Sequence, residues 1–138
     1  GAAAKNVIGI AAGMLDGLHM TSLKGALMSR GTREIARLIK ACGGNELSAY
    51  GLCHLGDYQA TVFSPYSHNR HFGEAYISGE NYDKLAEGYY TVPALVKMAD
   101  DKKVDLPICR AVYDVLYNRI DAGVTLGKLF ERSQKNEF

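Results

Sequence analysis

The sequence predicts an all-α domain. Apolar residues recur at three- and four-residue steps in several long segments, which is the spacing of one helix face. No segment alternates apolar and polar residues with β-branched enrichment, as a strand would. The chain has 138 residues and is 47% hydrophobic, which suits one compact domain with its own core. We therefore expect residues 1–138 to form a single helical unit.

The first half of the chain predicts one buried and one amphipathic helix. Apolar residues are almost continuous from Lys5 to about residue 20, so this helix should be buried on most sides. Across 22–42 the apolar positions form a stripe opposite basic residues, which predicts an amphipathic helix. Gly43 and Gly44 offer a left-handed cap at its end. A short helix over 46–55 should follow.

The second half predicts a polar loop and four further helices. Residues 56–67 are polar and interrupted by Pro65, which is typical of a loop that carries a site. A turn is expected at 78–81 because Gly79 lies in a polar run. Tyr89, Tyr90, Tyr113 and Tyr117 have core-like spacing. The helices are predicted over 69–77, 87–101, from Pro107 to Ile120, and from a Thr125 cap to Arg132.

Composition excludes several classes of function. The formal net charge of +1 gives no basic excess for nucleic acid. No apolar stretch reaches the about 20 residues of a membrane span, and no secretory signal is recognisable. Three cysteines at wide spacing argue against a disulfide framework and fit a reducing compartment. We expect a cytoplasmic protein.

Lys5 and Asn6 stand out at the head of the buried helix. A lysine beside an apolar segment can act as a general acid or base. On the residues alone, a plain solvated helix start explains Lys5 better than a functional role does.

A second polar group extends from Gly56 to Arg70, where a helix begins. Helix N-termini flanked by serine, asparagine and arginine side chains suit anions such as phosphate. An ordinary capped helix is the alternative. A zinc site at Cys53, His54, His68 and His71 is not expected, because the spacing matches no standard metal motif.

Several motifs, taken in order, resemble the C-terminal domain of NAD(P)-dependent glycerol-3-phosphate dehydrogenase. The resemblance covers nearly the whole chain and implies a compact multi-helix bundle of the 6-phosphogluconate dehydrogenase C-terminal-domain-like type. The motifs are Lys5-Asn6-Val7-Ile8-Gly9-Ile10-Ala11-Ala12-Gly13, Asp16-Gly17-Leu18, Lys24-Gly25-Ala26-Leu27, Gly56-Asp57, Ser67-His68-Asn69-Arg70 with Phe72-Gly73, Glu87-Gly88-Tyr89-Tyr90-Thr91 and Leu106-Pro107-Ile108-Cys109.

The resemblance implies an oxidoreductase of glycerophospholipid metabolism that interconverts dihydroxyacetone phosphate and sn-glycerol 3-phosphate. It implies Lys5 as the catalytic acid/base and Asp57 as its catalytic partner. The substrate-binding set would comprise Asn6, Thr61, Ser67, His68, Asn69 and Arg70. The cofactor, NAD or NADP, would be held mainly by a separate N-terminal Rossmann domain, with His68, Leu85 and Glu87 contributing from this chain. A homodimer is expected, and this domain alone should be inactive.

Three departures from the family pattern affect these expectations. His68 replaces the family's arginine, so a permanently charged fork becomes an imidazole, and anion binding should weaken near neutral pH unless Arg70 substitutes. The loop 19–22 lacks the usual Gly-x-Gly-Asp-Asn pattern. The connection before Glu87 is short. Two alternatives are the helical domain of a hydroxyacid or ketopantoate-type dehydrogenase and a non-catalytic helical interaction module.

Overall fold

The computed structural model describes residues 2–45, 47, 67–84 and 86–137. These residues form helices and no strand, which confirms the all-α prediction. No described helix is both long and apolar enough to cross a bilayer. A 3₁₀ turn, Thr21–Leu23, precedes the second helix. The helices are α1 (Ala2–Gly17), α2 (Lys24–Ala41), α3 (His68–Ser78), α4 (Glu87–Lys102), α5 (Pro107–Tyr117) and α6 (Ala122–Glu137).

Helix α1 is the centre of the domain. Its residues from Val7 to Leu15 are buried, because apolar or small side chains occupy every side of this stretch. It contacts α2, α3, α4 and α5. The predicted core helix is therefore confirmed.

Two glycines bring α1 and α3 into backbone contact. A Cβ atom added at Gly13 would collide with the carbonyl of Arg70, and one added at Gly73 would collide with the carbonyl of Ile10. Further along, Gly17 faces Ile77. Because the contacts advance together along both helices, α1 and α3 run in the same direction. Their starts consequently lie at the same end of the domain.

A buried glutamate joins α2 to α5. Glu34 is 1% exposed, and its two carboxylate oxygens accept from the backbone N–H groups of Ile108 and Cys109 at 2.8 and 2.9 Å. These N–H groups lie in the first turn of α5, where no intrahelical acceptor exists. Pro107 at the start of this helix needs no acceptor because it has no N–H. Glu34 therefore completes the N-terminus of α5 from a distant part of the chain.

The helix ends differ from the predictions in three places. The amphipathic helix begins at Lys24 rather than at residue 22, after the 3₁₀ turn. Helix α5 ends at Tyr117 and Arg119 adopts a positive φ of 54°, so Ile120 is exposed rather than part of the stripe. Helix α6 is capped by Asp121, not Thr125. The Asp121 carboxylate accepts from the N–H of Val124 at 2.9 Å.

Other predicted boundaries agree with the structure. Gly43 and Gly79 both have positive φ, 86° and 77°, where glycine is favoured over side-chain-bearing residues. They end the second and third helices as expected. Helix α6 is longer than predicted and continues to Glu137. The predicted helix over 46–55 and most of the following loop lie outside the described residues.

The four tyrosines contact one another, but none of them is fully buried. The rings of Tyr89 and Tyr117 stack at 5.0 Å, and those of Tyr113 and Tyr117 at 5.3 Å. The Tyr117 hydroxyl donates to the carbonyl of Tyr89, and burial together with this neighbour raises the pKa of Tyr117 to about 12. Tyr90 is 67% exposed. Its ring still meets that of Tyr89 edge to face at 5.1 Å, and Tyr117 is exposed as well, so the prediction of core positions was wrong for Tyr90 and Tyr117.

Candidate substrate-binding site

The starts of α3 and α4 meet near Asn6 of α1. The side-chain oxygen of Asn69 accepts from the N–H of Gly88 at 3.0 Å, which ties the first turn of α3 to that of α4. Gly88 also packs against α1, because a Cβ atom there would lie 2.9 Å from the carbonyl oxygen of Asn6. The Asn6 amide donates to the carboxylate of Glu87 at 3.3 Å. The structure thus brings together Asn6, Asn69 and Glu87.

Lys5 lies beside this junction. It immediately precedes Asn6 on α1 and is half-buried, whereas the following residues on the helix become fully buried. The carboxylate of Glu87 is exposed, so the same end of the domain carries a cation, two amides and an anion. This end is polar, while the interior of α1 is apolar.

Ser67 begins α3 as a helix cap. Its backbone is extended, with φ −70° and ψ 123°, and its hydroxyl accepts from the N–H of Arg70 at 3.3 Å. Serine at this position satisfies one of the first-turn N–H groups. The positive end of the helix dipole lies here and attracts negative charge. His68 and Asn69 are the first two residues of the helix, so their side chains lie at this anion-attracting end.

His68 contacts a residue that sequence reasoning did not single out. Its Nδ1 lies 2.7 Å from the hydroxyl of Tyr82, and the imidazole is exposed. The Tyr82 ring also stacks on His71, with centroids 6.1 Å apart and planes at 16°. Tyr82 lies just beyond the predicted turn, and no motif marked it. An aromatic residue in so short a connection was the only available signal.

Arg70 has a different environment from the other motif residues. Its guanidinium donates to Asp16 at 2.9 Å and to Glu74 at 2.6 Å, and the residue is buried. Asp16 also pairs with Lys24 at 2.6 Å. Asp16 lies eleven residues beyond Lys5 on α1, a helical rise of about 16 Å. The structure therefore pairs Arg70 with groups at the other end of α1.

Charge in this ion cluster is stabilised by its partners. Burial alone would raise the pKa of Asp16, but hydrogen bonds from Lys24, Thr21 and Arg70 outweigh it and lower the pKa. For Arg70, burial acts to lower the pKa, and the two carboxylates reverse this and raise it. Asp16 and Arg70 are therefore both charged at neutral pH, and their ion pair fixes α3 to α1.

Other candidates could not be placed or have other surroundings. Asp57, Thr61 and Leu85 lie outside the described residues, as do Cys53 and His54 from the zinc hypothesis. Across residues 2–45, 67–84 and 86–131, no three histidine, cysteine, aspartate or glutamate side chains are grouped as metal ligands would be. Asn6, Asn69 and Glu87 remain as one neighbourhood, with Ser67 and His68 adjoining Asn69 at the start of α3 and Lys5 preceding Asn6 on α1.

The fold and this neighbourhood define a class of protein, a helical domain with one polar end suited to a small anionic ligand. The family model described as NAD-dependent glycerol-3-phosphate dehydrogenase C-terminus matches residues 1–126. This chain belongs to the family of NAD(P)-dependent glycerol-3-phosphate dehydrogenases, as its C-terminal domain.

Individual relatives agree with the family match. A Thermus thermophilus protein named glycerol-3-phosphate dehydrogenase (NAD(P)+) is 40% identical over 143 residues, which covers 99% of this chain and 44% of that protein. One of the same name from Latilactobacillus sakei is 41% identical, with 99% and 43% covered. The crystal structure of the glycerol-3-phosphate dehydrogenase from Coxiella burnetii superposes with a TM-score of 0.85 at 30% identity, covering 94% of this chain and 42% of that one. The chain thus spans less than half the length of these relatives.

Proposed function

We propose that the protein containing this chain interconverts dihydroxyacetone phosphate and sn-glycerol 3-phosphate with NAD(P), and that this domain binds the substrate. The observation that carries the proposal is the junction of Asn6, Asn69 and Glu87 beside Lys5. Three separate segments supply these residues, and they are the segments that carry the family motifs. A capped helix alone would not require such a convergence.

Lys5 is assigned the proton transfer. When the carbonyl carbon C2 of the substrate is reduced, its oxygen must gain a proton, and an ammonium group can donate it. In the reverse direction the neutral amine takes the proton back. Asn6 adjoins Lys5 and donates to Glu87, and its amide is assigned a hydrogen bond with the substrate. Asp57 is assigned the orientation of the ammonium, through its opposite charge.

The phosphate is assigned to the start of α3. Ser67, His68 and Asn69 surround the positive end of the helix dipole, where backbone N–H groups favour an anion. Thr61 is assigned to the same group by the family pattern. Arg70 is assigned a supporting role instead of phosphate binding, because its guanidinium already pairs with Asp16 and Glu74.

The exposed groups at this end also suit a nicotinamide. The carboxylate of Glu87 can accept from a carboxamide N–H group. The family pattern places His68 at the same edge, beside the phosphate. We therefore assign Glu87 and His68, with Leu85, to the cofactor edge of the site. When bound, the nicotinamide supplies or accepts the hydride at C2. The rest of the dinucleotide is assigned to an N-terminal Rossmann domain, since the described residues are helical and include no strand.

The remaining partners follow from the family. The homodimer and the cytoplasmic location are part of the same proposal. Sedimentation of the full-length protein tests the first, and fractionation of cells tests the second.

Substrate choice tests the proposed function. The full-length protein should oxidise NADH or NADPH with dihydroxyacetone phosphate, and not with 2-oxo acids or ketopantoate. The separate 138-residue chain should show no turnover. Preference for a carboxylated substrate would support the hydroxyacid or ketopantoate-type alternative. Absence of any dehydrogenase activity in the full-length protein would support the interaction-module alternative.

A further inference from the structure

Tyr82 lies across the first turn of α3. Its hydroxyl is 2.7 Å from Nδ1 of His68, and its ring stacks on His71, one helical turn further along. The ring of His68 is tilted by 49° to that of Tyr82, with centroids 6.3 Å apart. The hydrogen bond therefore joins ring edges, while stacking on His71 holds the tyrosine in place.

This contact bears on the second imidazole nitrogen. A neutral imidazole has one donor and one acceptor nitrogen, and the partner of one nitrogen selects the role of the other. A phenol donates more strongly than it accepts, so in the neutral pair the Tyr82 hydroxyl donates to Nδ1 and the imidazole proton lies on Nε2. When the imidazole is charged, Nδ1 donates to the tyrosine oxygen and Nε2 again carries a proton. A hydroxyl can serve both states because it both donates and accepts.

The phenol is suited to this role. Burial, aided by the charge of Asp83, raises the pKa of Tyr82 against the opposite influence of Arg70, so its hydroxyl remains protonated at neutral pH. The phenolic proton is consequently available to Nδ1. An exposed imidazole without such a partner would rotate and exchange tautomers.

We propose that Tyr82 is a positioning residue that directs the Nε2–H group of His68 toward the phosphate of the substrate. The inference rests on the proposed function, because it assumes that an anion occupies the start of α3. An arginine, the family residue at this position, donates from every nitrogen of a planar fork and needs no tautomer selection. Tyr82 therefore supplies to the imidazole what the guanidinium has by itself.

The test is Tyr82→Phe in the full-length protein. This change removes the hydroxyl and keeps the ring that stacks on His71. The KM for dihydroxyacetone phosphate should rise about three- to tenfold, the range that corresponds to one hydrogen bond. The kcat at saturating substrate should change less than about twofold. Tyr76→Phe is the matched control, because it removes the phenol hydroxyl of an α3 residue that donates to the carbonyl of Val115 and does not contact His68 in the described structure.

Two further measurements separate positioning from general loss of structure. In a His68→Arg background, Tyr82→Phe should leave KM unchanged, since arginine has no tautomer to select. Long-range ¹H–¹⁵N spectra of ¹⁵N-histidine-labelled protein, assigned with His68→Gln, should show Nε2–H in the native protein and a tautomer mixture in Tyr82→Phe. An equal rise in KM in both backgrounds would overturn the inference, and so would an unchanged tautomer.

The outcomes also distinguish this inference from the proposed function. If the native full-length protein turns over dihydroxyacetone phosphate and Tyr82→Phe behaves like the native protein, the function stands and the positioning role is wrong. If the native protein does not use the phosphorylated substrate, the proposed function fails, whatever the tautomer of His68.

Discussion

Two helix starts in this domain face the same electrostatic problem and solve it differently. At α5, the carboxylate of Glu34 is buried and accepts from the N–H groups of Ile108 and Cys109. At α3, Ser67 caps one N–H group and the adjoining His68 side chain is exposed. Both starts attract an anion. The start of α5 already holds a carboxylate from its own chain, and at the start of α3 we propose that the substrate phosphate binds.

The difference shows how to separate structure from function in such a fold. An internal carboxylate at a helix start stabilises packing and leaves no room for a ligand. Burial raises the pKa of Glu34, although the N–H groups of Ile108 and Cys109 act against it. Burial, with the charge of Glu34, also raises the pKa of the Cys109 thiol well above its usual value. Cys109 is therefore unreactive, and the start of α5 has a structural role.

The largest expected effect is on turnover, when the lysine assigned to proton transfer is removed. Lys5→Ala in the full-length protein should lower kcat about a thousandfold, within the usual range for loss of a general acid. The free energy of unfolding should change little, because Lys5 is only half-buried. Steady-state kinetics and urea unfolding measure the two quantities. Lys97→Ala, an exposed lysine on α4, is the control, and near-native turnover in Lys5→Ala would remove its assigned role.

At the start of α5, which Glu34 caps, we expect the reverse: a loss of stability with little change in KM. Glu34→Ala should lower the free energy of unfolding by about 2–4 kcal/mol, because it leaves two buried N–H groups without an acceptor. The KM of the remaining folded protein should stay near the native value. Urea unfolding at constant pH measures the loss. Glu131→Ala removes an exposed glutamate for comparison, and an equal loss in both variants would contradict the capping role of Glu34.

A smaller effect on stability is expected where α3 packs against α1. Gly73→Ala places a methyl group against the carbonyl of Ile10 and should cost about 1–3 kcal/mol. Because α3 must shift, the KM for the phosphorylated substrate should also rise. Gly127→Ala has open space around the new methyl group and should stabilise α6 by about 0.5–1 kcal/mol. Thermal unfolding of both variants measures the contrast, and a neutral Gly73→Ala would show that the helices can separate freely.

The smallest effects concern pH and have opposite signs at the two places. The pKa of Asp16 is lowered, so its contribution to stability exists above the ordinary aspartate pKa and is lost as pH falls. The pKa of Glu34 is raised, so the protonation-dependent part of its contribution is present below the ordinary glutamate pKa and is lost as pH rises, while its two bonds from N–H groups persist. Asp16→Asn should reduce the acid sensitivity of unfolding, and Glu34→Gln should reduce the alkaline loss.

Urea midpoints between pH 3 and pH 8 would show these slopes, with Asp101→Asn as an exposed control. If both substitutions changed the pH dependence of the urea midpoint in the same direction relative to the native protein, the assigned environments would be contradicted.

Local patterns predicted the helices well. Apolar spacing placed α1, α2, α4 and α5 to within a few residues, because burial of one face dominates the energetics of such helices. The predicted start of α3 at Asn69 lies one residue beyond the observed start at His68. The error at Ile120 arose because a periodic pattern does not reveal where a positive φ ends the helix.

Long-range partners could not be predicted from the sequence. Glu34 and Ile108 are separated by 74 residues, and Asp16 and Arg70 by 54. Nothing in the local pattern of α2 distinguishes Glu34 from an exposed glutamate. The same applies to Arg70, which the motif presents as a ligand-binding arginine and the fold pairs with two carboxylates. The contacts of Tyr82 with His68 and His71 depend on how the chain returns over α3, which the local sequence does not show.

The backbone contact at Gly13 and Gly73 has a consequence for changing ligand preference. Backbone atoms set the spacing between α1, which carries Lys5, and the start of α3. Repacking of apolar side chains elsewhere therefore leaves that spacing intact. Ser67, His68 and Asn69 can then be exchanged as a group on a fixed frame. A redesign for another small acid would keep both glycines and vary only these three residues.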